Sequence, residues 1–111
     1  MKILFINRML TLLRGGGETF DLEIARHLAK RGCEVHFLSS RPWLRKAILP
    51  VALEEFGAHA KSYLLASPYW WWFPWDRIKG GWRLRVLEYR LFERLAIAWV
   101  LKHAGDYDVI Q

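Results

Sequence analysis

One cysteine, four prolines and no long unbroken apolar run set the first limits on this 111-residue chain. A lone Cys33 permits no internal disulfide, no cysteine-pair redox motif and no cysteine zinc site, and between a helix and a strand it reads as a packing residue. His59 has no second histidine at metal-ligand spacing. His27 and His36 have no acidic or serine partner that the sequence places as a catalytic relay. All three read as surface residues, and no metal is expected. No run of about eighteen apolar residues is present to span a bilayer; the uncharged stretch from Ser62 to Trp75 is shorter and carries Pro68 and Pro74. Met1 and Lys2 lead straight into apolar Ile3, with no signal peptide. A cytoplasmic protein is expected, at most peripheral on the cytoplasmic membrane. Acidic residues are also scarce, 11 against 17 lysines and arginines, for a net charge of +6. A nucleotide, a phosphorylated substrate, a membrane surface and a nucleic acid all fit that charge, which does not choose among them.

What is present begins with Ile3-Leu4-Phe5-Ile6, an apolar run without alternation, as in a strand buried on both faces of a parallel sheet. From Thr19 to Arg31 the period becomes helical. Phe20, Ile24 and Leu28, with Ala25 and Ala29 beside them, form a stripe, and Asp21, Glu23, Arg26 and Lys30 fill the other side. Glu18 and Asp21 near the start, Lys30 and Arg31 at the end and Gly32 just beyond suit the helix dipole and a left-handed stop. Val35-His36-Phe37-Leu38 then reads as a second strand, which makes a right-handed βαβ unit.

Function enters at Gly15-Gly16-Gly17. Residues without side chains let a ligand approach the backbone, and a helix N-terminus presents unpaired N–H groups and a positive dipole end to an anion such as a diphosphate or sugar phosphate. A tight or mobile turn is the plainer reading. The dinucleotide fingerprint fits badly: position 20 is Phe, and the second strand ends in Leu38-Ser39-Ser40 without the acid that would hold a ribose. Glu34 lies at the wrong end of that strand.

The run Arg14-Gly15-Gly16-Gly17-Glu18-Thr19-Phe20, followed by Ile24-Ala25-Arg26-His27-Leu28-Ala29-Lys30-Arg31-Gly32-Cys33-Glu34-Val35, resembles the opening of a family 4 glycosyltransferase of the GT-B fold. That family has a strand, a Gly-Gly-x-Glu loop, a helix with an Ala-x-x-Leu core, an Arg-Gly-x-x-Val turn and a second strand. The glycines align as Gly15-Gly16 or as Gly16-Gly17, and the close match spans about forty residues. The resemblance implies an α/β fold with a Rossmann-like parallel sheet of order 3-2-1-4 and flanking helices, an incomplete N-terminal domain of a GT-B enzyme. Residues 1–111 would be the acceptor-side domain, without the C-terminal domain that binds most of the donor. It also implies a nucleotide-diphosphate sugar as substrate with no further cofactor, and a glycan or lipid-linked acceptor. Gly15, Gly16, Gly17 and Glu18 would stand near the donor's phosphate or sugar, although a first-turn acid such as Glu18 also suits the dipole alone. The family's N-domain histidine would lie past Gln111, so no catalytic residue is named and the chain alone is expected to be inactive.

The remaining segments are less specific. Met9, Leu10, Leu12 and Leu13 fall in the long connection from Asn7 to Arg14, either over the site or capping the core. Arg41-Pro42-Trp43-Leu44-Arg45-Lys46 is basic and aromatic, as in an interfacial segment or an ordinary connection over a sheet edge. Ala60 to Leu65 reads as a third strand. Trp70, Trp71, Trp72 and Trp75 crowd one stretch beside Arg77. Successive side chains diverge in any regular conformation, so some of these rings are expected to meet an acceptor sugar, a membrane surface or another domain. No nucleic-acid-binding module surrounds them, and nucleic acid is not an expected partner. From Gly81 to His103 a helix is expected, buried along Leu84, Leu87, Leu91, Leu95 and Ala98 and apolar all round near its end. Asp106 to Ile110 reads as a fourth strand at an exposed edge, the beginning of a longer enzyme. A peripheral membrane or protein-interaction module on the same fold is the alternative to a glycosyltransferase.

Overall fold

The computed structural model describes residues 1–11, 15–42, 51–67, 77 and 79–111. Four strands, β1 (Lys2–Ile6), β2 (Glu34–Pro42), β3 (Lys61–Ser67) and β4 (Val109–Ile110), form one parallel sheet in the order β3-β2-β1-β4. Helix α1 (Gly16–Lys30) joins β1 to β2, and α2 (Gly81–His103) precedes β4. The architecture is α/β and Rossmann-like, with the expected strand order.

Alternation along the strands builds both layers. Ile3, Phe5, Val35 and Phe37 face α1 and pack with Leu10, Leu22, Ala25 and Phe56, the last from a 3-10 turn at Leu53–Phe56. Leu4 and Leu38 face the other way, against Phe92 and Ala96 of α2, with Tyr63 and Trp99 beside them. A strand clad on both sides has no polar face, which is why the first two runs are apolar throughout.

Helix α1 ends as the sequence directs. Gly32, at φ +91°, donates its N–H to the Ala29 carbonyl and Cys33 donates to that of Leu28, the paired bonds of a Schellman stop. Cys33 packs against the α1-side core. The start differs from expectation. The helix begins at Gly16, three residues before Thr19, with Gly15 as its N-cap at φ −107°. Phe20, assigned to the buried stripe, is 63% exposed, and the buried positions are Leu22 and Ala25. The face turned to the sheet centres on Leu22 and Ala25, with Ile24, Leu28 and Ala29 packed beside them, and Phe20 points about 200° away from Leu22, while Ala25 lets the helix lie close to the sheet.

The face of α2 also differs. Its buried residues are Gly81, Glu88, Phe92 and Ala96. Leu84, Leu87 and Leu95 are 40%, 50% and 39% exposed, and Ile97 and Leu101 more so, so the second half is not buried all round. The aromatics set the rotation: Phe92 fits against Leu4 and Leu38, and Trp99 packs 5.0 Å from Tyr63, which turns the leucine stripe to one flank. Strand β2 runs on to Pro42, past the expected end at Leu38-Ser39-Ser40. No helix among the described residues is long and apolar enough to cross a membrane.

Candidate functional site at the carboxyl ends of the strands

In a doubly wound sheet, ligands bind beyond the carboxyl ends of the strands, where neighbouring connections leave on opposite faces. That point falls between β1 and β4, because α1 covers one face and α2 the other. Its floor is the end of β1 beside Gln111, whose carbonyl accepts the Ile6 N–H at 2.9 Å.

The chain leaving β1 is anchored by short polar contacts. Asn7 donates its side-chain amide to Asp21 at 3.0 Å and accepts the Met9 N–H at 2.9 Å. Ser39 and Ser40, both fully buried, donate to the Arg8 carbonyl through hydroxyl and N–H, and the Thr11 hydroxyl donates to the Ser40 carbonyl. The serines that look like the end of β2 in the sequence therefore bind the β1–α1 connection. Leu10 is fully buried in the core rather than lining a pocket, and the Arg8 guanidinium lies 3.6 Å from the centre of the Tyr89 ring. Residues 12–14 lie outside the described residues.

Gly15, Gly16 and Gly17 follow at this rim, all exposed. None has a positive φ, so they are the cap and first turn of a helix rather than the flexible loop expected. A Cβ added at Gly16 or Gly17 meets nothing within 4 Å. The space over the first turn is open. Glu18 accepts the Gly15 N–H at 2.9 Å, the one half of a capping box that a glycine cap allows, since Gly15 has no side chain to accept the Glu18 N–H in return. Its carboxylate serves the chain itself and places negative charge beside the first turn. Since both glycines have ordinary helical geometry, Gly16→Ala and Gly17→Ala should each raise stability by about 0.5–1 kcal/mol, read from the midpoint of urea unfolding.

The other proposed contacts divide in two. Arg77 is exposed on the approach to α2, whose N-terminus lies at the same end of the sheet as that of α1 but on the opposite face. Trp43, Arg45, Trp70, Trp71, Trp72 and Trp75 lie outside the described residues.

Two features escaped the sequence reading. A groove of about 410 Å³ opens at the opposite end of the sheet, lined in part by Lys2, Cys33, Glu34, His59 and Asp108. The second is His36, expected at the surface but 2% exposed. Its Nε2 lies 2.8 Å from Glu34 and its Nδ1 2.7 Å from the Tyr107 hydroxyl. Glu34-x-His36 on a strand puts both side chains on one face, and that period-two spacing was the available signal. The bond from His36 holds the Glu34 carboxyl below its usual range, with Lys2 adding to the effect. Burial pushes the Tyr107 hydroxyl up to about 12. Among the described residues no group of three or more histidine, cysteine or acidic side chains could hold a metal ion.

Set beside protein-family models, characterised proteins and solved structures, the chain shows no match in any of the three comparisons.

Proposed function

We propose that this chain is the acceptor-side part of a glycosyltransferase that moves a sugar from a nucleotide-diphosphate donor to a glycan or lipid-linked acceptor. The observation that carries the reading is the open first turn of α1, where Gly16 and Gly17 present no side chain at the carboxyl rim of a parallel sheet. Sugar transfer develops negative charge on the departing diphosphate, and oriented N–H groups at a helix N-terminus stabilise such charge without reorganising. The β3-β2-β1-β4 order supports the same placement, since it sets α1 beside the β1–β4 crevice. Gly15 supplies the cap, and Glu18 orders the first turn through its bond to Gly15. On this reading the family's second, donor-binding domain would face the same rim and supply the remaining contacts to the nucleotide.

Amide NMR of the chain titrated with UDP-glucose and, separately, with pyrophosphate tests the proposal. Shifts concentrated at residues 15 to 18, and weakened in Gly16→Ala by a methyl group in the approach path, are the expected result. Shifts clustered instead around Cys33 and His59, or none at millimolar ligand, about the weakest affinity such a contact would show, would refute it.

A further inference from the structure

We infer that the leucine flank of α2 docks an acidic amphipathic helix of another protein. Successive residues turn about 100° around a helix, which fixes where each side chain of α2 stands. Glu88, Phe92 and Ala96 are buried on the line that faces the sheet. Tyr89, to one side of that line, meets the Arg8 guanidinium just past the end of β1, so the opposite flank lies toward β3. That flank carries Leu84, Leu87, Leu91, Leu95 and Ala98, centred about 100° round from the buried line. Leu84, Leu87 and Leu95 are 40%, 50% and 39% exposed, Ala98 is exposed and Leu91 half-buried. The stripe runs about 21 Å at spacings of three and four residues, the pattern along which a second helix packs. Among the described residues α2 is the only helix on its face of the sheet, and a helix about 10 Å wide covers about two strands spaced about 4.8 Å apart. A neighbour over β3 would complete that layer.

Charge chooses the occupant. Arg83, Arg90 and Arg94 stand exposed along the outer border of the stripe, and none of the three forms an ion pair among the described residues. With Leu84 and Leu91 at the a positions of a heptad, Arg83 and Arg90 fall at g, where charge selects the partner helix. Glutamates on a facing helix would meet them. A second copy of α2 would not. Laid antiparallel about a two-fold axis it sets arginine against arginine, and laid parallel it sets Arg83 opposite Glu88, which is 3% exposed and paired with Arg85. A flat surface fits no better, because the three arginines point away from the sheet. A plane would meet them first and could reach the leucines only by burying the charges. A narrow partner lying along the flank meets leucine and arginine together. This surface does not depend on sugar transfer.

Fluorescence anisotropy with a labelled designed peptide of about eighteen residues, five helical turns, tests the inference. The peptide carries leucines at its a and d positions and glutamates at e and g, where like charge keeps it from pairing with itself. It is titrated with the full chain beside the same peptide with lysine at e and g. The glutamate peptide should bind about tenfold more tightly, a preference that salt reduces. Leu84→Ala with Leu87→Ala should weaken it about tenfold, since both leucines lose contact area. Val86→Ala with Ile97→Ala, exposed on the other flank, should change it less than about twofold. Arg90→Glu with Arg94→Glu should reverse the preference, so that the lysine peptide binds the more tightly. Circular dichroism checks folding; if that double variant does not fold, Arg90→Gln alone should still weaken the glutamate peptide about threefold. Equal binding of the two peptides, no binding at millimolar peptide, equal losses from the two flanks, or a dimer in sedimentation equilibrium that Leu87→Ala dissolves would each overturn the inference.

Discussion

Phe37→Ala should remove about 3–5 kcal/mol of folding stability, the usual cost of deleting a fully buried aromatic ring. Phe37 is wholly buried on β2, a strand paired on both sides, with its ring 5.9 Å from Phe5 and 5.0 Å from Phe56. These three rings join β1, β2 and the 3-10 turn under α1, so the vacated volume is enclosed between the sheet and α1 and can collapse only if those elements move. Domains of this size hold about 5–15 kcal/mol in total. The variant should therefore unfold at much lower urea, or lose its cooperative transition. Phe20→Ala is the matched control. Its ring is mostly in water, and the change should stay within about 0.5 kcal/mol. Urea unfolding followed by circular dichroism measures both, and similar costs at the two sites would contradict the assigned α1 face.

Phe20 and Phe37 also mark where the sequence was and was not legible. Phe37 stands in a continuous apolar run, and only a strand covered on both faces needs one, so β1, β2 and their neighbour order could be read directly. Gly32 marked the end of α1 because its left-handed φ is one that other residues adopt at a cost. The start of α1 could not be read from its stripe. Glu18 bonding back to the Gly15 N–H marks it, and the rotation was set separately, by Leu22 and Ala25 packing on the sheet, which leaves Phe20 exposed. In α2 two apolar stripes compete, one of leucines and one containing Phe92, Ala96 and Trp99. Periodicity ranks them equally. Fit against Leu4, Leu38 and Tyr63 decides between them, and that fit exists only once the sheet has formed. At the candidate site the glycines were correctly placed at a helix N-terminus, but their loop conformation was not, because three glycines in a row leave helical and turn geometries equally open. The buried hydroxyls of Thr11, Ser39 and Ser40 form a long-range network that no local pattern announces.

Tyr107→Phe should cost about 1–3 kcal/mol, because it deprives a buried ring nitrogen of its partner. The Glu34 carboxylate can only accept, so His36 donates from Nε2 and its Nδ1 accepts the Tyr107 proton. With the hydroxyl gone, Nδ1 remains in a pocket bounded by Tyr63, Trp99 and Tyr107, closed to water at 2% exposure. The contact clasps β2 to the chain entering β4, across β1. That matters because β4 has only two residues and exposes both side chains. Replacing both partners, in His36→Leu with Tyr107→Phe, should recover part of the loss, a non-additivity expected of a shared contact. The pH profile separates the two ends of the clasp. Tyr107 ionises near 10 when unfolded and near 12 when folded, so its contribution is complete below pH 10 and fades as pH rises toward 12. The gap between wild type and Tyr107→Phe should narrow over that interval. The Glu34 carboxyl titrates lower in the fold than its ordinary 4.5, so its contribution is present above that value and is lost as pH falls through the folded pKa. That acid limb should persist in Tyr107→Phe and shrink in His36→Leu. Urea unfolding at a series of pH values would show both limbs, and an acid limb unchanged by His36→Leu would mean that Glu34 draws its shift from Lys2 instead.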